Sequence, residues 1–172
     1  IAAEHSPGIV VSSGSLATAL GVSVGRAIAR KIKNIPGNIW VFLSDGELQE
    51  GVTWESLQLA SSQRLKNINI IVDVNGMQVD GQMAQLMPIE PIVDKFEAFG
   101  WNAIEIDGNN LEAIRIACLE AKNSNLPTAI ICRTKPWLGF SFLKNRWDNN
   151  KLHFIRLTDD ERQDLISEIK SL

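Results

Sequence analysis

Two short polar segments could carry chemistry, because each follows an apolar run typical of a buried strand. Asp45 and Gly46 follow the run Ile39–Ser44, and Asn75 follows the run Ile68–Val74. In a parallel sheet the carboxyl ends of neighbouring strands open on one edge, and ligands bind there. The order of these segments therefore predicts that a carboxylate and a carboxamide meet at that edge.

This pair of polar groups suits a magnesium–diphosphate site. Mg²⁺ prefers carboxylate oxygens, neutral carbonyl oxygens and phosphate oxygens. Gly46 would let the backbone approach a phosphate closely, and Gly76 would allow a turn that aims the Met77 carbonyl inward. Each dipeptide alone is more often a simple turn at the end of a strand. It is the ordered pair that indicates a site.

The elements that position these residues follow an α/β pattern. Apolar runs rich in β-branched residues alternate with segments of helical period, which predicts a three-layer α/β/α fold with a mainly parallel sheet. The predicted strands are Ile39–Ser44, Ile68–Val74, Ala103–Asp107 and Thr128–Arg133. The predicted helices are Leu16–Lys33, Val52–Arg64, Pro91–Phe99, Leu111–Lys122 and Asp159–Lys170, the last capped by Thr158 with Glu161.

Two segments, Gly76–Glu90 and Lys135–Leu157, show no periodicity and are expected to be long loops. Long loops of α/β domains are where sites are built.

Composition limits the class of protein. A chain of 172 residues with 45% hydrophobic content predicts one domain spanning residues 1–172. The net charge of −3, with both signs mixed along the chain, indicates neither a nucleic-acid nor an anionic-membrane partner. No apolar run approaches the roughly 18 residues of a membrane span, and no leader sequence opens the chain.

Two further features bear on the origin of the chain. Cys118 and Cys132 lie in apolar runs, so we expect reduced, buried thiols in a cytoplasmic protein. Because the chain opens on Ile1, we expect a processed or truncated piece that lacks upstream residues.

The central window resembles a known fingerprint. Ser44-Asp45-Gly46, followed after one strand–helix unit by Asn75, is similar to the thiamine-diphosphate motif, which begins Gly-Asp-Gly and ends in Asn. The longer strings at 45–51 (DGELQEG) and 73–81 (DVNGMQVDG) resemble the transketolase family in particular. Shorter strings similar to the family occur at 7–16, 100–101, 107–108, 133–135 and 139–142, so the resemblance covers essentially the whole chain.

The resemblance implies a thiamine-diphosphate-binding fold that holds thiamine diphosphate and Mg²⁺. Asp45 and Asn75 would bind the metal through their side chains, and Met77 would bind it through its carbonyl oxygen. The cofactor-binding residues implied by the family are Gly14, Ser15, Leu16, Asp45, Gly46, Glu47 and Asn75.

Three residues would take part in catalysis by the same resemblance. Glu50 and Glu55 match acidic positions at a dimer interface, where they link two cofactor sites, although favourable helix-dipole placement would explain them equally well. His153 lies near the place of a family Trp-His pair that contacts substrate; here the tryptophan is Leu152. His5 matches no functional position, and we expect it at the surface.

The implied function is that of an amino-terminal transketolase subunit or fragment, which transfers a two-carbon ketol unit between sugar phosphates. It would need a partner, because the pyrimidine-binding domain is not in these residues, and we expect a homo- or hetero-oligomer. The chain departs from the family pattern at Ala17-Thr18-Ala19, at Asn109-Asn110 and at Pro136-Trp137.

Alternatives remain open at this point. The departures favour a non-catalytic interaction module that keeps the fold. Other thiamine-diphosphate enzymes, a 2-oxo acid dehydrogenase α-subunit or a deoxyxylulose-phosphate synthase, fit the strings at 45–51 and 73–81 less well. A metal-dependent phosphatase would need a second acidic pair near Asp45, and none is evident.

Overall fold

A computed structural model describes residues 6–170, so His5 lies outside the described residues. The elements in chain order are α1 (Thr18–Ile32), β1 (Ile39–Ser44), a 3-10 helix (Asp45–Gln49), α2 (Gly51–Ser62), β2 (Ile68–Val74), β3 (Met77–Gln78), β4 (Gly81–Gln82), α3 (Met83–Leu86), α4 (Ile92–Ala98), β5 (Asn102–Asp107), α5 (Leu111–Asn123), β6 (Thr128–Arg133), α6 (Ser141–Asp148) and α7 (Asp159–Lys170).

The contacts group the chain into two compact units. The first comprises the chain up to Val74 together with Ile89–Thr134, and the second comprises Asn75–Pro88 and the chain from Lys135 onward. The prediction of a single domain over 1–172 stays a prediction.

The first unit contains a four-stranded parallel sheet in the order β1-β2-β6-β5. The chain steps from β1 to β2 in one direction along the sheet and from β5 to β6 in the other. Because parallel crossovers are right-handed, α2 and α5 must cover opposite faces. The predicted α/β class with a mainly parallel sheet is confirmed.

The core of this unit lies between the sheet and its helices. Residues of β2 and β6 are buried almost continuously, as expected for central strands covered on both faces. On the α5 face, Ile130 and Cys132 pack against Ala117 and Ala121 of that helix. Phe42, which pairs in register with Ile71 on the same face, is 70% exposed. Helix α5 therefore covers only the β5–β6 half of this face.

The amino-terminal cap of α5 is a side-chain cap. Asn110 Oδ1 accepts hydrogen bonds from the Glu112 N–H at 3.0 Å and the Ala113 N–H at 3.1 Å. We expect Asn110→Ala to lower the free energy of unfolding by about 1 kcal/mol, because both donors lose their acceptor. Asn110→Ser keeps an acceptor and should retain most of the stability in chemical denaturation; equal losses in both variants would contradict the capping role.

The second unit contains the antiparallel pair β3–β4 and the helices α3, α6 and α7. The expected Thr158 cap of α7 is confirmed, since the Thr158 hydroxyl accepts from the Glu161 N–H and the Glu161 carboxylate accepts from the Thr158 N–H. The expectation of two long loops was wrong in part. The segment Gly76–Glu90 contains β3, β4 and α3, and the segment Lys135–Leu157 contains α6.

Helix α6 was not predicted, because none of its residues is buried and its sequence therefore lacks the apolar stripe that reveals a helix. Within residues 6–170, no helix is long and apolar enough to cross a bilayer.

Candidate cofactor-binding site

Asp45 occupies the carboxyl edge of the parallel sheet. Strand β1 ends at Ser44, whose register partner on β2 is Asp73, so Asp45 begins the 3-10 helix directly above this pair. The Asp45 side chain is only 1% exposed. A carboxylate withdrawn from water needs hydrogen bonds or a cation, and this position at a strand end is where a ligand binds in α/β sheets.

Glu47 fixes the local backbone around Asp45. Its carboxylate accepts from the Ser44 N–H at 2.7 Å and from the Ser44 hydroxyl at 3.3 Å, which forms a capping box at the start of the 3-10 helix. The same carboxylate accepts from the Ala17 N–H at 2.9 Å. Glu47 thus ties the segment before α1 to the end of β1. Its predicted contact with a cofactor stays a prediction.

The segment Gly14–Leu16 is exposed and leads into α1. A local turn organises it, because the Ser13 hydroxyl donates to the Ser15 carbonyl at 3.1 Å and accepts from the Ser15 N–H at 3.0 Å. Backbone N–H groups at the start of a helix suit an anionic group. The assignment of Gly14, Ser15 and Leu16 to the cofactor remains a prediction.

Ala17 has a left-handed backbone conformation although it carries a side chain. Its φ is +62°, and the residue is fully buried. This conformation costs a non-glycine residue about 1 kcal/mol. Ala17 therefore holds a backbone conformation that glycine adopts more readily.

We expect Ala17→Gly to raise the free energy of unfolding by up to about 1 kcal/mol, because it relieves the left-handed strain and keeps the N–H that Glu47 accepts. The measurement is chemical denaturation of both variants. Ala27→Gly, in the interior of α1, is the matched control and should be destabilising. A loss of stability in the Ala17 variant would contradict this prediction. It would show that packing of the buried methyl group contributes more than the relief of strain.

Asn75 and Met77 form one turn in the second unit. Asn75 Oδ1 accepts from the Met77 N–H at 2.9 Å, which is an Asx turn. Gly76 between them has φ +74°, which only glycine adopts readily, and its carbonyl accepts from the Met83 N–H at 2.9 Å. A carbonyl oxygen has a second lone pair, so Asn75 Oδ1 can bind a cation while it holds this turn.

Glu50 and Glu55 are exposed, at the start of α2 and in its second turn. The exposed residues Val52, Glu55 and Leu59 follow one another at helical spacing along α2. The inner face of the helix is anchored, since the Thr53 hydroxyl donates to the Glu47 carbonyl and the Trp54 Nε1–H donates to the Leu48 carbonyl. The outer face of α2 is therefore an acidic and apolar surface.

His153 lies in the second unit and is exposed. Its ring packs edge-on against Phe154, with 4.7 Å between ring centroids, while Leu152 beside it is buried. Within residues 6–170, His153 forms no ion pair. Its predicted catalytic role remains untested.

Sequence reasoning did not single out Arg133 and Thr134 as individual residues. Arg133 pairs with Glu90 and with Glu105, and these carboxylates raise its pKa, while the Arg133 guanidinium lowers the pKa of Glu90. The Thr134 hydroxyl donates to Asp73. These contacts link residues of β2, β5 and β6 near the carboxyl ends of the strands. They cannot be predicted without the order of the strands in the sheet.

Cys132 lies on the same sheet face as Asp73, and its environment suppresses ionisation. Burial, and next the Asp73 charge, raise the pKa of the Cys132 thiol to about 11. Cys118 and Cys132 are both free thiols, as expected, but Cys118 is only half-buried and the expectation of burial holds for Cys132 alone. A protonated thiol is a poor nucleophile and a poor metal ligand, so Cys132 acts as packing. Among residues 6–170, no cluster of three His, Cys, Asp or Glu side chains has metal-binding geometry.

The comparison with models of protein families identifies the family of this chain. The model of the transketolase thiamine diphosphate binding domain matches residues 2–168. The chain belongs to the transketolase family. It therefore carries the thiamine-diphosphate-binding domain that the central window predicted, and the 2-oxo acid dehydrogenase and synthase alternatives are set aside.

Curated relatives agree with this assignment. The chain is 42% identical over 161 residues to an uncharacterized transketolase family protein of Sinorhizobium fredii, covering 92% of this chain and 57% of the relative. It is 33% identical over 164 residues to the 6-deoxy-6-sulfo-D-fructose transketolase subunit SqwG of a Clostridium species, covering 95% of this chain and 58% of that subunit. The transketolase domain described here thus spans somewhat over half the length of these relatives.

A solved transketolase from Campylobacter jejuni shares the fold. It superposes with a TM-score of 0.67 at 32% identity and covers 73% of this chain and 20% of that protein. Transketolases are transferases, so the relatives support an enzyme of that kind.

Proposed function

We propose that this chain is the amino-terminal part of a thiamine-diphosphate-dependent transketolase, which anchors the cofactor diphosphate through Mg²⁺ for two-carbon ketol transfer between sugar phosphates. The observation that carries the proposal is the buried Asp45 carboxylate at the carboxyl end of β1, beside the end of β2, in a domain of this family.

The residues present fit a magnesium ion. Asp45 would supply a carboxylate, Asn75 a neutral amide oxygen and Met77 a backbone carbonyl, and by their chemistry these are hard oxygen donors. The hydrogen bond from the Met77 N–H to Asn75 Oδ1 closes one turn, and this turn positions both residues. When bound, Mg²⁺ would be held by these oxygens and would neutralise charge on the cofactor diphosphate.

The remaining residues would orient the cofactor. Gly46 would let the backbone of the 3-10 helix approach the diphosphate, while Glu47 ties that helix to Ala17, which directly follows the Gly14–Leu16 segment. When bound, thiamine diphosphate supplies a carbanion nucleophile and an electron sink. The protein's part is to bind it, to orient it and to move protons, and Glu50, Glu55 and His153 are the candidates for the last task.

A partner is part of the proposal. The chain spans somewhat over half of relatives that are named as transketolase subunits in a Clostridium species and in Actinobacillus succinogenes. Exposed Val52, Glu55 and Leu59 on α2 form a surface with apolar anchors that suits a protein contact. We infer an oligomer in which a pyrimidine-binding half completes the site, in the cytoplasm, where the free thiols Cys118 and Cys132 stay reduced.

The alternative is a non-catalytic interaction module. Ala17, Asn109 and Pro136 depart from the family pattern and favour it. Against it, Ala17 keeps a left-handed φ of +62° and donates its N–H to Glu47. The backbone that faces the proposed site is thus maintained despite the substitution.

The deciding experiment is calorimetric titration of thiamine diphosphate into the chain, with Mg²⁺ and then with the metal chelated. The same titration is repeated in the presence of a carboxyl-terminal half from a subunit-type relative. Saturable binding that requires Mg²⁺ in either format supports the proposal. Binding in neither format rejects it in favour of the interaction module.

A further inference from the structure

The opposite edge of the sheet carries a basic cleft. The loops that precede β1, β2 and β6 surround a cavity of about 550 Å³ in the first unit. Its lining includes five cationic side chains, namely Arg30, Lys31, Arg64, Lys66 and Lys122. We call this cavity the amino-edge cleft, because it lies at the amino ends of the strands, away from Asp45.

The amino-edge cleft has no compensating acid. None of its lining residues is Asp or Glu, and the segments 30–39, 61–68 and 122–128 contain no acidic residue, in a chain whose net charge is −3. Helices α1, α2 and α5 end here, and each carboxyl terminus carries about half a negative charge. Three such ends offset only about 1.5 of five positive charges. The cleft therefore keeps a clear positive excess.

The bonds that the cations make do not neutralise them. Arg30 donates to the Pro36 carbonyl, and Lys31 donates to the Gln63 carbonyl at 2.5 Å. Both acceptors are neutral. Within residues 6–170, Arg64, Lys66 and Lys122 form no salt bridge with any carboxylate.

Arg64 occupies a backbone position that does not favour arginine. It follows the carboxyl cap of α2 with φ +49°, where its N–H donates to the Ser61 carbonyl at 2.8 Å. Glycine or asparagine usually fills this position, and after α1 the equivalent residue is Asn34, with φ +53°. A strained backbone that carries a charged side chain toward a cleft points to a use for that side chain.

We propose that the amino-edge cleft binds a small molecule that carries two or more phosphate groups. Asparagines in the lining add amide donors for phosphate oxygens, although the amides of Asn67 and Asn123 each already donate one N–H to a backbone carbonyl. Ile35 and Pro36 offer an apolar contact for the rest of such a molecule. The cavity has the size of small-molecule sites, which are about 300–1,000 Å³. This site does not depend on the proposed cofactor site, since the two lie at opposite ends of the same strands.

The test is calorimetric titration of inorganic tripolyphosphate into the whole chain at low salt, with magnesium removed by a chelator. We expect saturable binding that weakens as salt is added. Asp45→Ala should bind equally well, which separates this site from the proposed cofactor site. Parallel titrations with ATP, fructose 1,6-bisphosphate and orthophosphate identify the source of the phosphate groups, and orthophosphate should bind most weakly.

Charge reversal locates the site. The double variant Lys66→Glu, Lys122→Glu should bind tripolyphosphate at least about tenfold more weakly, because charge-assisted contacts become repulsive. Lys170→Glu makes the same kind of charge change on α7, outside the cleft, and should leave the affinity within about twofold. Equal weakening by Lys170→Glu would overturn the proposal, as would the absence of saturable binding to the unaltered chain.

Arg64→Gly separates binding from stability. It should weaken tripolyphosphate binding by about fivefold through the lost charge and raise Tm by about 2–4 °C through relief of the left-handed strain. An unchanged affinity in this variant would reject the role of Arg64 and with it the strain argument. Tighter binding of a short oligonucleotide than of tripolyphosphate would replace the small molecule with a nucleic acid and overturn the proposal as stated.

Discussion

Asp45→Ala is expected to weaken magnesium-dependent binding of thiamine diphosphate by at least about 100-fold, because the ion loses its only carboxylate ligand in the proposed donor set. The carboxylate is buried, so surface charges cannot replace it without moving the backbone of the 3-10 helix. Calorimetry of the chain together with a carboxyl-terminal half from a subunit-type relative, with and without Mg²⁺, measures the loss directly.

Two control variants distinguish the loss of a metal ligand from a general loss of folding. Asp94→Ala removes an exposed aspartate on α4 and should leave cofactor binding within about twofold. Asp45→Asn keeps the shape and one neutral oxygen, and should fall between the alanine variant and the original chain. Thermal unfolding without cofactor must show that the Asp45 variants fold. Metal-dependent binding that survives in folded Asp45→Ala would place the ion elsewhere.

Sequence patterns predicted the central sheet well. The strands Ile39–Ser44, Ile68–Val74 and Thr128–Arg133 were predicted with the bounds that the structure shows, because buried parallel strands leave nearly continuous apolar runs. Helix α6 left no such trace, since its stability rests on specific bonds, such as the contact of the Ser141 hydroxyl and N–H with Glu168. Bonds between residues distant in sequence leave no local period.

The proposed ligands of the candidate site can be predicted from the sequence, but the hydrogen bonds that support the site cannot. Asp45 and Asn75 stand out because each follows an apolar strand. The spacing Ser44-x-x-Glu47 is also readable as a capping box, but the bond from Ala17 to Glu47 joins segments that meet only through packing.

The amino-edge cleft is hidden for a similar reason. Over the whole chain the 17 basic residues are mixed with 20 acidic ones, so the composition suggests no basic site. The parallel topology collects Arg30, Arg64 and Lys122, each near the carboxyl end of a helix, at one edge of the sheet.

Glu47→Ala is expected to lower the free energy of unfolding by about 2 kcal/mol. Its carboxylate accepts from the Ser44 N–H, the Ser44 hydroxyl and the Ala17 N–H, and charge-assisted bonds to partly buried donors are among the stronger ones. The corresponding fall in Tm is about 4–8 °C for a chain of this size. Chemical denaturation gives the free energy.

If Glu47 links Ala17 to Ser44, its removal should also have a local effect that a general loss of stability would not produce. Hydrogen exchange of the Ala17 and Ser44 amides should accelerate more in Glu47→Ala than exchange in the core of β6, because these two N–H groups lose their acceptor. Glu120→Ala, an exposed glutamate on α5, should stay within about 0.5 kcal/mol of the original chain. Uniform acceleration across the sheet would mean that Glu47 supports the whole unit, and the proposed site would then lose its specific anchor between α1 and β1.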